Sequence, residues 1–138
     1  MSQTLGQLEW VRATNGGIPA TGIAQGVERD GRPLFIARAF YKNGLHPGKA
    51  APHLSDGGFE FAWGGSSHSL NEYFVLCGNI NRTRWVAVDG PVPKDTSLRL
   101  VDGGQEDYGD RLYIAKVAYD GSLQLGKAGT HLRDEVVN

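Results

Sequence analysis

Glu28, Lys49 and His53 recur at unchanged spacing as Glu106, Lys127 and His131, each shifted by 78 positions. A carboxylate accepts two or more hydrogen bonds and an ammonium donates three. Together they suit a ligand with neighbouring hydroxyls, each of which both donates and accepts, and a monosaccharide is such a ligand. The competing reading is a pair of solvated strand-end charges or a structural ion pair. For His53 and His131 the default is a hydrogen-bonded structural imidazole, and the alternative is a ligand contact. A further matched pair, Arg38 and Lys116, lies among apolar neighbours. There, pairing with a buried carboxylate or a backbone carbonyl is expected rather than catalysis.

These residues sit on a repeated sequence. Residues 26–54, GVERDGRPLFIARAFYKNGLHPGKAAPHL, align without a gap on 104–132, GQEDYGDRLYIAKVAYDGSLQLGKAGTHL, with 13 identities in 29 positions. Average residue usage would give roughly two. Such a period marks two copies of one supersecondary unit and predicts internal pseudo-twofold symmetry. Trp10-Val11 before Pro19 matches Trp85-Val86 before Pro93, so each copy opens on a WV strand. Repeat one then spans about 10–80 and repeat two about 84–138, within a single domain over 1–138. The second copy ends without a counterpart of EYFVLC (72–77). The edge this leaves calls for cover by the N-terminal segment or by another subunit, so a homodimer or higher homo-oligomer is expected.

The elements that carry the polar set read as β-strands. Twenty glycines and six prolines punctuate the chain, and no stretch holds a helical period. The apolar runs LFIARAFY (34–41), EYFVLC (72–77), RWVAV (84–88), SLRLV (97–101) and RLYIAKVAY (111–119) are short, β-branched or aromatic, and bounded by turn residues. Asn43-Gly44 and Asp120-Gly121 signal one pair of hairpins, and Asp30-Gly31 with Tyr108-Gly109 another. The expected fold is all-β, with two pseudo-symmetric repeats of short antiparallel strands sharing one core. At 138 residues the chain is too short for two independent cores.

Lys and Arg total 14 against 15 Asp and Glu, with no basic stripe. That argues against nucleic acid and against membrane insertion, as does the shortness of the apolar runs. MSQTLGQLEW has neither a basic start nor an apolar stretch, so a cytoplasmic location is expected. Cys77 is the single cysteine and is expected to be a buried, inert thiol. Asn81-Arg82-Thr83 has the form of a glycosylation acceptor that this setting leaves unused. Trp10 and Trp85 are expected to anchor the core, and Trp63 to pack in it rather than stack on a ligand. His46, His53, His68 and His131 form no close pair, so no metal and no other cofactor is expected. Signatures of common enzymes are missing. A glycosidase role for Glu28 and Glu106 is disfavoured, because symmetric carboxylates have similar environments while acid and base need different ones.

The pattern W-V…G-x-(I/V)-P…G-x-E…I-A-R-A…L-x-P-G-K…H-L…E-Y-x-V-L resembles the DM-nine repeat family from Trp10 to about Leu132. That family includes small tandem-repeat mannose-binding lectins, and natterin-like toxins use the same module to read carbohydrate. The resemblance implies calcium-independent binding of mannose-type glycans, with a role in recognition or defence. The implied site is an acidic residue before the first hairpin and the lysine of PGK, here Glu28 and Lys49. The acidic residue resembles an aspartate in the family, so glutamate sets the carboxylate a methylene further out. Glu106 and Lys127 imply a second site, although Leu125 replaces the proline of PGK. The alternative is a structural or protein-interaction module of the same fold without sugar binding.

Strand counting bears on the site. A turn at Asn43-Gly44 sets Lys49 opposite about Arg38, and one at Asp30-Gly31 sets Glu28 opposite about Pro33. Five residues of strand, roughly 16 Å, then separate the pair. Either a bulge at Pro47-Gly48 bends the lysine back, or the sites combine Glu28 with Lys127 and Glu106 with Lys49. In a lectin, Glu28→Ala or Lys49→Ala is expected to remove binding with the melting temperature nearly unchanged.

Overall fold

The structure is a computed structural model that describes residues 8–79, 85, 102–131 and 136–137. The described residues are all-β, in one antiparallel sheet. Its strands are β1 (Glu9–Thr14), β2 (Ala24–Val27), β3 (Pro33–Tyr41), β4 (Gly44–Ala50), β5 (Phe59–Trp63), β6 (Ser66–Leu70), β7 (Glu72–Cys77), β8 (Asp102–Gln105), β9 (Arg111–Tyr119), β10 (Ser122–Ala128) and β11 (Val136–Val137). Strands β8, β9 and β10 are β2, β3 and β4 shifted by 78 residues. The runs at 84–88 and 97–101, the second WV strand and Asn81-Arg82-Thr83 lie outside the described residues, Trp85 excepted.

The long hairpins turn one residue earlier than expected in the first copy. Tyr41 pairs with Gly44, so the turn is Lys42-Asn43 and Gly44 already begins β4. Both turn residues take the left-handed backbone, with φ of 47° and 66°, which a two-residue turn between twisted strands requires at both positions. The second copy turns at Asp120-Gly121, as expected, between Tyr119 and Ser122. At the shorter hairpins, Gly31 N donates to Glu28 O and Glu28 N to Arg32 O; Gly109, Glu106 and Asp110 repeat both bonds. Gly31 and Gly109, at φ 95° and 104°, fill the left-handed place of this turn.

The pairing closes on itself. β2 joins β3, β3 joins β4, β4 joins β8, β8 joins β9, β9 joins β10, and β10 returns to β2. Three strands come from each copy, and two symmetric bridges join the halves: Val27 with Leu123, and Gln105 with Leu45. Bulges at Ala24/Gly26 and Asp102/Gly104 sit just before those bridges; they sharpen the local twist and so help the ring to close. The β3–β4 pairing runs through Pro47-Gly48 without a shift, so the bulge expected there is absent. Ring closure removes the free edges that six open strands would expose.

Additional strands cover the first copy. β7 pairs β3 at Ala37–Val75, β1 pairs β7 along its whole length, and β5 and β6 extend from β4. The described N-terminal strand therefore caps β7 and not the second copy. In the second copy, β11 pairs β10 at Gly126 and Lys127, on the edge where β5 meets β4.

Cross-strand register sorts the side chains into two faces. Phe35, Ala37 and Ala39 lie with Ala50, Gly48 and His46 against β5 and β7, where Phe59, Phe61 and Tyr73 are fully buried and stacked. The other face carries Leu34 and Ile36, packed with Leu76, Leu125 and Trp10. Each large side chain so buried contributes about 1.5–3 kcal/mol. The described cluster of the second copy alone is only Ala115, Ala128 and Tyr113. Its strands therefore depend on the core they share with the first copy. Cys77 is buried there as expected, and burial pushes its thiol up. Trp63 packs beside Tyr41 and His68. Trp10 packs against the core, but Trp85 is 39% exposed and does not anchor it.

Candidate functional site

Glu28 and Glu106 each hold the first position of their hairpin turn, with both backbone groups bonded within it. The carboxylates thus stand on fixed turns at the ends of β2 and β8. His53 Nε2 lies 2.8 Å from Glu28 Oε2, and His131 Nε2 lies 2.9 Å from Glu106 Oε2. Each histidine therefore orients its own copy's carboxylate.

The lysines complete the sites through a residue of the opposite copy. Lys49 Nζ donates to Gln124 Oε1 at 2.7 Å, and Gln124 Nε2 donates to Glu28 Oε1 at 3.3 Å. Ser122 Oγ also accepts from Gln124 Nε2, at 3.0 Å, and so helps fix the amide. At the matched place, Lys127 Nζ lies 3.2 Å from His46 Nδ1. Positions 46 and 124 are themselves counterparts, so each floor is a lysine of one copy held by a β4- or β10-residue of the other. Lys49, Gln124, His46 and Lys127 are all buried.

This resolves the strand-count problem differently from either expectation. Lys49 pairs with Ile36 and not Arg38, which shortens its separation from Pro33 along β3. Lys49 lies near enough for its charge to act on Glu28, and Glu106 near enough to act on Lys127. What crosses between copies is Gln124 or His46. Sequence reasoning passed over both because they differ at matched positions, and a filter for identical residues discards them. The signal that could have found them is polarity: both are polar residues, flanked by Leu and Pro or by two Leu, on the same strands as the repeated lysines.

The electrostatics follow from this packing. Burial raises the Glu28 carboxyl, but bonds from His53 and Gln124 and the charge of Lys49 outweigh it and hold it below the usual value. Burial pushes Lys127 down, with Glu106 pulling the other way. His46 is lowered to about 4 by burial and by Lys127; it stacks on Phe61 of β5 at 5.5 Å. It is therefore neutral at pH 7 and accepts from the lysine, as the Gln124 amide does. Unfolding frees His46 to bind its proton near pH 6.5. The unfolded chain then holds more protons between pH 6.5 and 4, and stability falls as pH drops through that window. The full loss is about 3 kcal/mol. His46→Gln, which copies the other floor, is expected to flatten the denaturation midpoint between pH 6.5 and 4. The Glu28 contribution is present above pH 4.5 and lost only below it, which separates the two effects.

Arg38 and Lys116 each lie over an indole ring. The Arg38 guanidinium lies 4.0 Å from the Trp10 ring centroid and the Lys116 ammonium 4.4 Å from that of Trp85. Matched cations on matched tryptophans make a repeated cation–π contact. Gln25 Oε1 accepts from both Trp85 Nε1 and Lys116 Nζ.

An open cleft of about 510 Å³ lies at Glu28, Arg29, Asp30 and Arg32. A smaller cleft of about 220 Å³, between Arg12, Phe40, Leu70 and Phe74, contains none of the repeated polar residues. Shape therefore favours neither strongly; the repeated chemistry selects the first. Among the described residues no group of three His, Cys, Asp or Glu is placed to hold a metal ion. What the arrangement can do is present an acceptor-rich carboxylate at a surface cleft, with a donor-rich ammonium buried behind it and linked to it through hydrogen bonds. The family model of the DM9 repeat matches residues 2–56 and 30–137. No curated protein matches the chain.

Proposed function

The chain belongs to the DM9 repeat family, a family of binding modules associated with carbohydrate, and from that premise we propose that it is a calcium-independent lectin for mannose or a related hexose. The observation that carries the reading is the twofold Glu–His–Lys arrangement, with each lysine steadied from the other copy. Adjacent sugar hydroxyls would donate to Glu28 or Glu106 and accept from Lys49 or Lys127. Hydroxyls exchange water bonds for protein bonds at little net gain, so single-site affinity is expected to be weak. Two sites per chain, and a homo-oligomer, would supply the avidity. Titration calorimetry with a panel of methyl hexosides tests the reading. Saturable binding near two sites per chain is expected; no heat from any hexose at millimolar concentration, by folded protein, would refute it.

A further inference from the structure

The two sites share Glu, His and Lys, yet their hairpin rims carry opposite charge. Arg29, Asp30 and Arg32 flank Glu28, and the matched positions around Glu106 are Asp107, Tyr108 and Asp110. All six side chains are at the surface or nearly so. We propose that the sites divide sugars by charge: the Glu28 site admits anionic hexose derivatives such as 6-phosphates, whereas the Glu106 site rejects them and takes neutral sugars. The proposal rests on the lectin reading and names the ligand class of each site.

The floors do not distinguish the sites. Each has one lysine, and its cross-copy partner, Gln124 or His46, is uncharged at pH 7. Glu60 lies 3.9 Å from Lys49, which lends the first floor no positive excess. The rims decide. Arg29 is bonded to Asp120 of the second copy, but both side chains are about two-thirds exposed. Such a pair holds weakly, so a phosphate or carboxylate can replace Asp120 on the guanidinium. Arg32 is likewise paired with the exposed Asp30.

Among the described residues the second rim sets two carboxylates, Asp107 and Asp110, against one guanidinium, Arg111, which stands where the first rim has Pro33, so its balance stays negative. The counterpart of Asp120 is Lys42, whose ammonium lies 4.9 Å from the Trp63 centroid and 5.5 Å from that of Tyr41. The field of the second rim shows in Tyr108. Desolvation and the carboxylates of Glu106, Asp110 and Asp107 all push its phenol up. The Tyr108 ring stands edge-on to His131, with centroids 6.2 Å apart, and is 67% exposed. It therefore offers an apolar face to a neutral sugar where the first site offers Asp30.

The test uses the full chain as three proteins: Glu28→Ala, which leaves the Glu106 site; Glu106→Ala, which leaves the Glu28 site; and Glu28→Ala with Asp107→Arg and Asp110→Arg. Each is titrated with methyl mannoside, mannose 6-phosphate and the matching glucose and galactose pairs, after a melt confirms folding. Glu106→Ala is expected to bind the best hexose 6-phosphate at least as well as the neutral sugar. Glu28→Ala is expected to bind it roughly tenfold more weakly, a gap that narrows in high salt. The arginine exchange, at exposed loop tips, is expected to restore 6-phosphate binding. Equal binding of both sugars by Glu28→Ala, or no effect of the exchange, overturns the division by charge while leaving the lectin reading intact. Absence of any sugar binding by the unsubstituted chain overturns both.

Discussion

Replacing Glu28 and Glu106 together by alanine is expected to abolish sugar binding, at least a hundredfold loss by calorimetry, in a chain that still folds. Each carboxylate is hydrogen-bonded by a histidine and stands on a fixed turn, whereas the neighbouring Asp30, Asp107 and Asp110 are exposed on the rim. Hydrogen bonds to a charged group contribute about 1.5–3 kcal/mol each, and a pyranose loses two of them per site. Stability will not be untouched, contrary to what the sequence suggested. Glu28 also holds His53 and receives Gln124, so each substitution costs about 1–2 kcal/mol, a modest fall in melting temperature. Glu→Gln at both positions keeps the shape and removes the charge. It should bind weakly with a melting temperature closer to the parent's. Binding that survives the double alanine change would place the sugar elsewhere on the molecule. Lys49→Ala is the poorer test, because that lysine is buried against Gln124 and its loss strands the amide.

Gly104→Ala is expected to be the most damaging methyl addition among the described glycines. A Cβ there would lie 1.9 Å from Leu45 O and 2.7 Å from Leu45 C, both backbone atoms. The bridge between β4 and β8 at Leu45 and Gln105 must then open, and with it one of the two joints that close the ring. The expected loss exceeds 3 kcal/mol, in the range of large core deletions, read as a shifted urea midpoint. The counterpart Gly26 meets Leu123 O at 2.8 Å, so Gly26→Ala should act at the other joint with a smaller effect. Equal, small effects of both would mean that the joints contribute little.

Much of this was legible in the residues. The duplicated stretch gave the all-β class and the pseudo-symmetry, because β3 and β9 alternate or run apolar between turn residues. It also picked out Glu28, Lys49 and His53 with Glu106, Lys127 and His131 as candidates by identity at matched positions, and the structure brings each of those glutamates to its histidine. The strand pair β5–β6 was not read. Gly64-Gly65 takes the left-handed backbone at both turn positions, yet SSHSL is polar and exposed and carries no alternating signal. The indole rings beneath Arg38 and Lys116 were not foreseen, because no local pattern in the sequence places a tryptophan of one strand over a cation of another. Gln124 and His46 escaped because their role depends on which strands of the two halves meet, and no local pattern encodes that.

The ring has a consequence for the history and folding of the chain. Neither set of three strands can close by itself, since β2 needs β10 and β8 needs β4. A polypeptide with a single repeat could build this ring, and either floor, only by pairing with a second molecule about a twofold axis. The present chain is such a pair written as one polypeptide. Because both halves belong to one polypeptide they can differ, so that one floor carries glutamine and the other histidine, a choice a symmetric dimer of identical chains could not make. The same linkage makes every closing contact remote in sequence, so the ring should assemble late and as one event, after both hairpins have formed.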